Sequence, residues 1–284
     1  MNARGGALAA GGQPLPDRQL IELWSRHLHC GFWETPARAD GSLLELACAT
    51  EELCRRIFQV AEIADGMRVL DAGCGSGGTL AALDDAFTGL SLAGVNVDPG
   101  ELAAARRLLR SRRNSAIELI EGDACAMPLP DGGCDVVLAV ESILLFPGRE
   151  RFFREARRVL RPGGRLLVVD FLPAAALLPA LAAWDATLGR LCGLFYPQTN
   201  MRTTLAGYRR LAAATGFLLQ RAEDWSRQTL PSYAAVRRIL RRSDGHAGKA
   251  LGLLLGNALT EGLGRAGLLR YGVLLFRDLR EAPR

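Results

Sequence analysis

The sequence predicts a doubly wound α/β domain on a mostly parallel, seven-stranded sheet with a helical lid. Three observations predict it: short apolar runs alternate with segments of helical period, a glycine-rich turn follows the first run without a gap, and 49% of the 284 residues are apolar. Alternating strands and helices require a parallel sheet covered on both faces, because each crossover returns the chain to the same edge. A chain of this length and composition supplies one buried core.

The elements follow in order. Leu43, Leu46, Ala47, Leu53 and Ile57 recur at helical spacing between Leu43 and Val60, and Asp65-Gly66 breaks the pattern. Arg68 to Asp71 then reads as a buried strand, Leu92 to Val97 as a second, Glu101 to Leu109 as a helix, Ile117 to Glu121 and Val136 to Val140 as strands. A helix from Arg151 to Leu160 stops at Pro162-Gly163-Gly164, and Leu166 to Asp170 is the fifth strand. Gly216 to Gln220 and Tyr271 to Phe276 read as two closing strands, separated by helices that include Tyr233 to Arg242 and Ala250 to Leu263. Directly past Asp170, Phe171 to Phe195 carries only Asp185 and Arg190 as charges among many Leu and Ala residues. Pro173 and Pro179 argue against a membrane span, and a lid over an apolar pocket is expected there.

These runs divide the chain into a mobile tail over 1–20 and one domain over 21–284, with cap helices over 21–60 and a substrate lid over 171–215. Met1 to Pro16 lacks the apolar run of a secretory signal, and the seven cysteines, an odd number without a CxxC pair, favour a reducing, cytoplasmic setting. With three histidines and that cysteine spacing, no metal site is expected. Much of the charge behind the net +5 is scattered, and the densest groups are Arg106, Arg107, Arg110, Arg112 and Arg113, then Arg237, Arg238, Arg241 and Arg242, without interleaved aromatics. Solvated helix faces explain both groups, so no nucleic-acid partner is expected. A homodimer stays open as an alternative to a monomer.

The sharpest local signal is Val69-Leu70-Asp71-Ala72-Gly73-Cys74-Gly75-Ser76-Gly77-Gly78, a strand running into a glycine turn and a helix. Glycines let backbone approach a ligand and expose N–H groups at a helix start. The spacing Gly73-x-Gly75-x-x-Gly78 also fits a dinucleotide fingerprint, so the glycines alone leave the cofactor open. Asp71 favours one reading: a carboxylate there opposes a pyrophosphate and suits a ligand with a cationic amino-acid end and a sulfonium, S-adenosylmethionine.

With Gly94-Val-Asn-Val-Asp98-Pro99, Gly122-Asp123-Ala124, Leu129-Pro130-Asp131, Glu141-Ser142 and Glu155-Ala-Arg-Arg-Val-Leu-Arg-Pro-Gly163-Gly164, the chain resembles the class I methyltransferases from about Trp24 to Phe276. The likeness is to their small-molecule branch of natural-product, tocopherol-type and sarcosine-type enzymes. It implies a Rossmann-like methyltransferase fold and a cofactor-binding set of Trp33, Asp71, Gly73, Cys74, Gly75, Gly77, Asn96, Val97, Asp123, Ala124 and Val140. Asn96 stands where the family carries an acidic residue for the ribose hydroxyls; it can still accept one such bond, or Asp98 contributes. Asp123 and Ala124 are implied to hold the adenine, and Val140 and Glu141 to line the junction with the substrate. His27-Leu28-His29-Cys30-Gly31-Phe32-Trp33 is similar to the family's N-terminal segment that folds over the cofactor; core packing of Phe32 and Trp33 is the alternative.

Methyl transfer from a sulfonium is an in-line displacement, so alignment and desolvation supply most of the acceleration. Many relatives carry a histidine base five residues into the Glu-Ser segment, where this chain has Leu145. The acceptor is then already nucleophilic, or another base serves, with Glu141, Asp170 and His29 as the candidates, or methylation has been lost. The first expectation is methyl transfer to oxygen or carbon of a small, largely apolar metabolite. The alternatives are a methyltransferase-like protein catalysing a non-methylating step such as cyclisation, an RNA methyltransferase, and a dinucleotide-dependent oxidoreductase.

Overall fold

The computed structural model describes residues 26, 27, 29–110, 114–186, 200–242 and 247–281. The expected tail over 1–20 and the central part of the expected lid lie outside the described residues. Helix α1, Leu43–Val60, opens where Ser42 accepts from the Glu45 N–H, and it buries Leu46, Leu53 and Ile57 completely. The remaining helices are α2 (Gly78–Ala86), α3 (Pro99–Leu109), α4 (Arg149–Val159), α5 (Leu178–Ala186), α6 (Leu205–Thr215), α7 (Ser226–Thr229), α8 (Pro231–Arg242) and α9 (Ala247–Arg265). The strands are β1 (Arg68–Ala72), β2 (Ser91–Asn96), β3 (Ala116–Glu121), β4 (Cys134–Val140), β5 (Leu160–Pro173), β6 (Phe217–Asp224) and β7 (Leu269–Asp278).

They form one sheet in the order β3-β2-β1-β4-β5-β7-β6. β1 to β5 run parallel, and β7 enters antiparallel between β5 and β6. The chain leaves β1 toward β2 on one side and returns to β4 on the other, so the strand order reverses between β1 and β4. In such sheets the crevice outside the carboxyl ends at that point takes the ligand. Apolar clusters cover both faces: one joins Leu53, Ile57, Leu80, Leu138 and Val273, the other Leu70, Val137, Phe153, Tyr208 and Phe276.

Two expectations change where tertiary pairing overrides local signals. The helix expected to run to Leu160 ends at Val159, because Leu160 pairs with Cys134 and begins β5. Pro162-Gly163-Gly164 is a bulge inside that strand, where the register jumps before Arg165 meets Val136. Both ends of the span expected as a lid, 171–215, are built into the sheet and the core. Phe171, Leu172 and Pro173 pair with Tyr271, Arg270 and Leu269 in the sheet, and α6 packs Tyr208 and Ala212 into the core. Residues 21–60 hold one α-helix and a 3-10 turn, Pro36–Arg38, among the described residues, instead of several cap helices. Among those residues no helix is long and apolar enough to cross a membrane.

Candidate functional site

The walls of the crevice come from the turns after β1, β2, β3 and β4. Beyond β1 the chain passes through Gly73, Gly75 and Gly77 at φ of 78°, 51° and 84°, a region that glycine enters without a steric cost. At Gly73 close approach matters as much, since an added Cβ would lie 2.5 Å from Ser142 Cβ. Ser142 Oγ donates to the Ala72 carbonyl at 2.7 Å, which fastens the turn after β4 to the end of β1.

The sequence led us to expect bare amides along the glycine turn, but those of Gly73, Cys74 and Gly77 are satisfied within the chain. Gly73 and Cys74 both donate to the Val95 carbonyl, at 2.8 and 3.1 Å, and Gly77 donates to the Cys74 carbonyl at 2.9 Å. The Cys74 side chain is buried in the core. What the turn offers a ligand is room at Gly75, where an added Cβ would meet nothing nearer than Glu101 Oε2 at 3.9 Å.

Asp71 is buried at the end of β1, and its Oδ2 has no hydrogen-bond partner. Burial alone pushes its pKa up to about 7. A buried acceptor left unmade is costly, and a cationic donor arriving from outside removes that cost. The residues present therefore fit a ligand with an ammonium end.

Asn96 Nδ2 donates to Glu101 Oε2 at 2.6 Å. Asp98, considered above as a ribose partner, instead caps α3, its Oδ1 accepting from Gly100 and Glu101 N–H at 2.7 and 3.0 Å. That cap and Pro99 start the helix so that Glu101 swings back toward Asn96 and Gly75. A carboxylate thus stands beside Asn96, at Glu101, a residue that sequence reasoning treated only as a helix start. The available signal was an acid five residues after Asn96, just inside a capped helix.

Val97 leaves the strand and is 66% exposed. Asp123 Oδ1 accepts from Cys125 N–H at 2.8 Å and shapes the turn that buries Ala124. Val140, half-buried, packs against the apolar cluster beneath β1. Glu141 adopts φ of 49° and joins two distant parts of the chain: its Oε1 accepts from Cys30 N–H at 2.8 Å and from Tyr271 O–H at 2.6 Å. Burial raises its pKa, and these hydrogen bonds counteract the rise.

The other candidates are engaged elsewhere. Asp170 is fully buried, with Oδ2 accepting from Arg149 Nη2 at 2.8 Å and from Tyr208 O–H at 2.5 Å, and Oδ1 from Phe171 N–H at 2.8 Å. Arg149 Nη2 also donates to the Asn200 carbonyl at 2.5 Å, so Asp170 orders the chain beside β5. His29 is buried, its pKa pushed down to about 3 by burial and by His27. Trp33 packs among Leu43, Leu46, Ala49, Ala235 and Ile239, and its buried indole N–H has no partner. Leu145, in the 3-10 turn Ile143–Leu145, is 51% exposed. Arg237 donates to Glu261 and Asn257, and Arg238 to the Gly41 carbonyl, so these two cations serve the fold.

Residues 70–168 match a sequence family described as Methyltransferase domain. The chain is 31% identical over 218 residues to Methyltransferase GfsG of Streptomyces halstedii, across 76% of this chain and 75% of that protein. It is 33% identical over 218 residues to 27-O-demethylrifamycin SV methyltransferase of Amycolatopsis mediterranei, across 75% of each. In fold it is similar to the cyclase SpnF, over 93% of both chains with a TM-score of 0.74 at 24% identity.

Proposed function

The chain belongs to the class I S-adenosylmethionine-dependent methyltransferases that act on small molecules, and we propose that its acceptor is a largely apolar metabolite methylated at oxygen or carbon. The observation that carries this reading is Leu145, half exposed in the turn after Glu141, where a histidine base is expected from the resemblance. A leucine there offers an acceptor apolar surface and no proton acceptor. Support also comes from the residues after β5: Ala175, Ala176, Pro179, Ala180, Ala182 and Ala183 are left exposed, as the wall of an apolar pocket would be. One of the relatives is named as a methyltransferase of 27-O-demethylrifamycin SV.

S-adenosylmethionine supplies an electrophilic methyl group on a sulfonium. Toward it, Asp71 accepts from the ammonium, Asn96 and Glu101 together receive the ribose hydroxyls, and Asp123 and Ala124 hold the adenine. Glu141 positions the junction by tying Cys30 to Tyr271. With no base at 145 and Asp170 sealed in its ion pair, this chain contributes alignment and exclusion of water. The free thiols among the described residues fit a cytoplasmic setting, and exposed Leu255 and Leu259 on α9 fit a homodimer contact.

The test incubates the protein with methyl-labelled cofactor and a host extract. Label is expected in the lipophilic small-molecule fraction. Label in RNA would overturn the substrate class, and bound cofactor with no transfer to any fraction would favour a non-methylating reaction.

A further inference from the structure

Behind the glycine turn, three ligating side chains meet at one buried point. His27 and His29 come from the N-terminal segment and Cys54 from the middle of α1; all three are buried, and their ligating atoms lie within 4.8 Å of one another. Cys54 Sγ is 3.5 Å from His27 Nδ1 and 3.4 Å from His29 Nε2. The far nitrogens are anchored, His27 Nε2 at 2.7 Å from Glu51 Oε1 and His29 Nδ1 at 2.8 Å from the Cys30 carbonyl oxygen. A carboxylate and a carbonyl only accept, so those nitrogens carry the ring protons. Each neutral imidazole then turns a lone pair toward the sulfur, and two lone pairs face a single thiol proton.

A carboxylate behind one imidazole and a carbonyl behind the other is the support that metal-ligating histidines have. The sulfur–nitrogen separations fit the edge of about 3.5 Å that bonds of about 2.0 Å to nitrogen and about 2.3 Å to sulfur give, and the two ring nitrogens, within 4.8 Å of each other, close to about 3.3 Å when the ion binds. We propose that His27, His29 and Cys54 form a metal site for a thiolate-seeking cation, Zn2+ or Cu+, which pins the N-terminal segment to α1. On binding, the Cys54 S–H bond breaks, its proton passes to solvent and a sulfur–metal bond forms, with no change of oxidation state. The pinned segment presses on the start of α2: Ser76 Oγ donates to the Arg26 carbonyl at 3.2 Å, and an added Cβ at Gly78 would lie 2.0 Å from that oxygen. The sequence expectation of no metal site rested on spacing, which does not see ligands brought together from two segments.

The full chain, stripped with chelator, is titrated with Co2+ as the probe. One equivalent is expected to bind with a thiolate-to-cobalt charge-transfer band, and stoichiometric Zn2+ or Cu+ is expected to displace it and raise Tm; whichever does so identifies the ion. The band should persist in Cys48→Ser, whose thiol is exposed, and vanish in Cys54→Ser. Glu51→Gln, at a partly exposed support, should keep the fold and weaken Co2+ binding about 10- to 100-fold. No thiolate band and no metal-dependent Tm in the unaltered protein would overturn the site, leaving three side chains joined by hydrogen bonds alone. A band that survives Cys54→Ser, or Co2+ binding unchanged by Glu51→Gln, would overturn it as well.

Discussion

Asp71 and Asp170 are the same residue type at the same edge of one sheet, and they have opposite surroundings. Asp170 receives three hydrogen bonds, from Arg149, from Tyr208 and from the N–H of Phe171, the next residue of its own strand. Asp71 Oδ2 receives none. Burial raises the pKa of both, and only at Asp170 do an arginine and a tyrosine push it back down. The difference teaches that a buried strand carboxylate belongs to the fold when its partners are in the chain, and to a ligand when they are missing.

The largest effect expected from this contrast is at Asp170. Asp170→Ala leaves Arg149 buried, already with Nη1 unpartnered, and removes the acceptor of Tyr208. Breaking a buried pair this way costs about 3 to 5 kcal/mol, to be read from denaturant unfolding. Cofactor affinity of the folded fraction, measured by calorimetry, should stay near that of the unaltered protein. A stable variant that has lost the cofactor would reverse the two roles.

Asp71→Asn should do the opposite. It removes an unpaired charge, so apoprotein stability holds or rises, while S-adenosylmethionine binding weakens by about 1 to 3 kcal/mol. The pH dependence follows from the raised pKa. Between the ordinary carboxylate value of 3.8 and about 7, folded apoprotein keeps a proton on Asp71 that the unfolded chain has released. This group's contribution to stability therefore falls as pH rises through that window and levels off above about 7. Cofactor affinity moves the other way, rising through about 7 as the carboxylate ionises to meet the ammonium. Both slopes should vanish in Asp71→Asn, and a variant that keeps them would assign the titration to another group.

How much of this was legible in the sequence depends on the range of the interaction. The seven strands and the glycine turn are local patterns, and they lie close to where period and turn chemistry place them. β5 escaped at its start because Leu160 answers to Cys134, a partner on another strand. Asp71 could be read as a ligand-facing acid because the turn beside it is contiguous. Arg149 and Tyr208, which close Asp170 off, lie 21 and 38 residues from it and carry no motif. The pairing of His29 with Cys54 has the same origin, as does that of Glu141 with Tyr271 across 130 residues.

Glu101 tests the contrast most finely, because it shows a ligand-facing charge relocated within a few residues. If Glu101 supplies the carboxylate that position 96 lacks, Glu101→Gln should weaken cofactor binding by about 1 kcal/mol with little change in stability. Asn96→Asp would restore the acid that the family carries, yet it should weaken binding too. Its carboxylate would stand where Asn96 Nδ2 now donates to Glu101 Oε2 at 2.6 Å, and two acids that close cannot both ionise. Combining Asn96→Asp with Glu101→Gln removes the repulsion, so the double variant should bind more tightly than either single one, a coupling that a double-mutant cycle measures. If Asn96→Asp alone tightens binding, the site uses position 96 directly and Glu101 only steadies the start of α3.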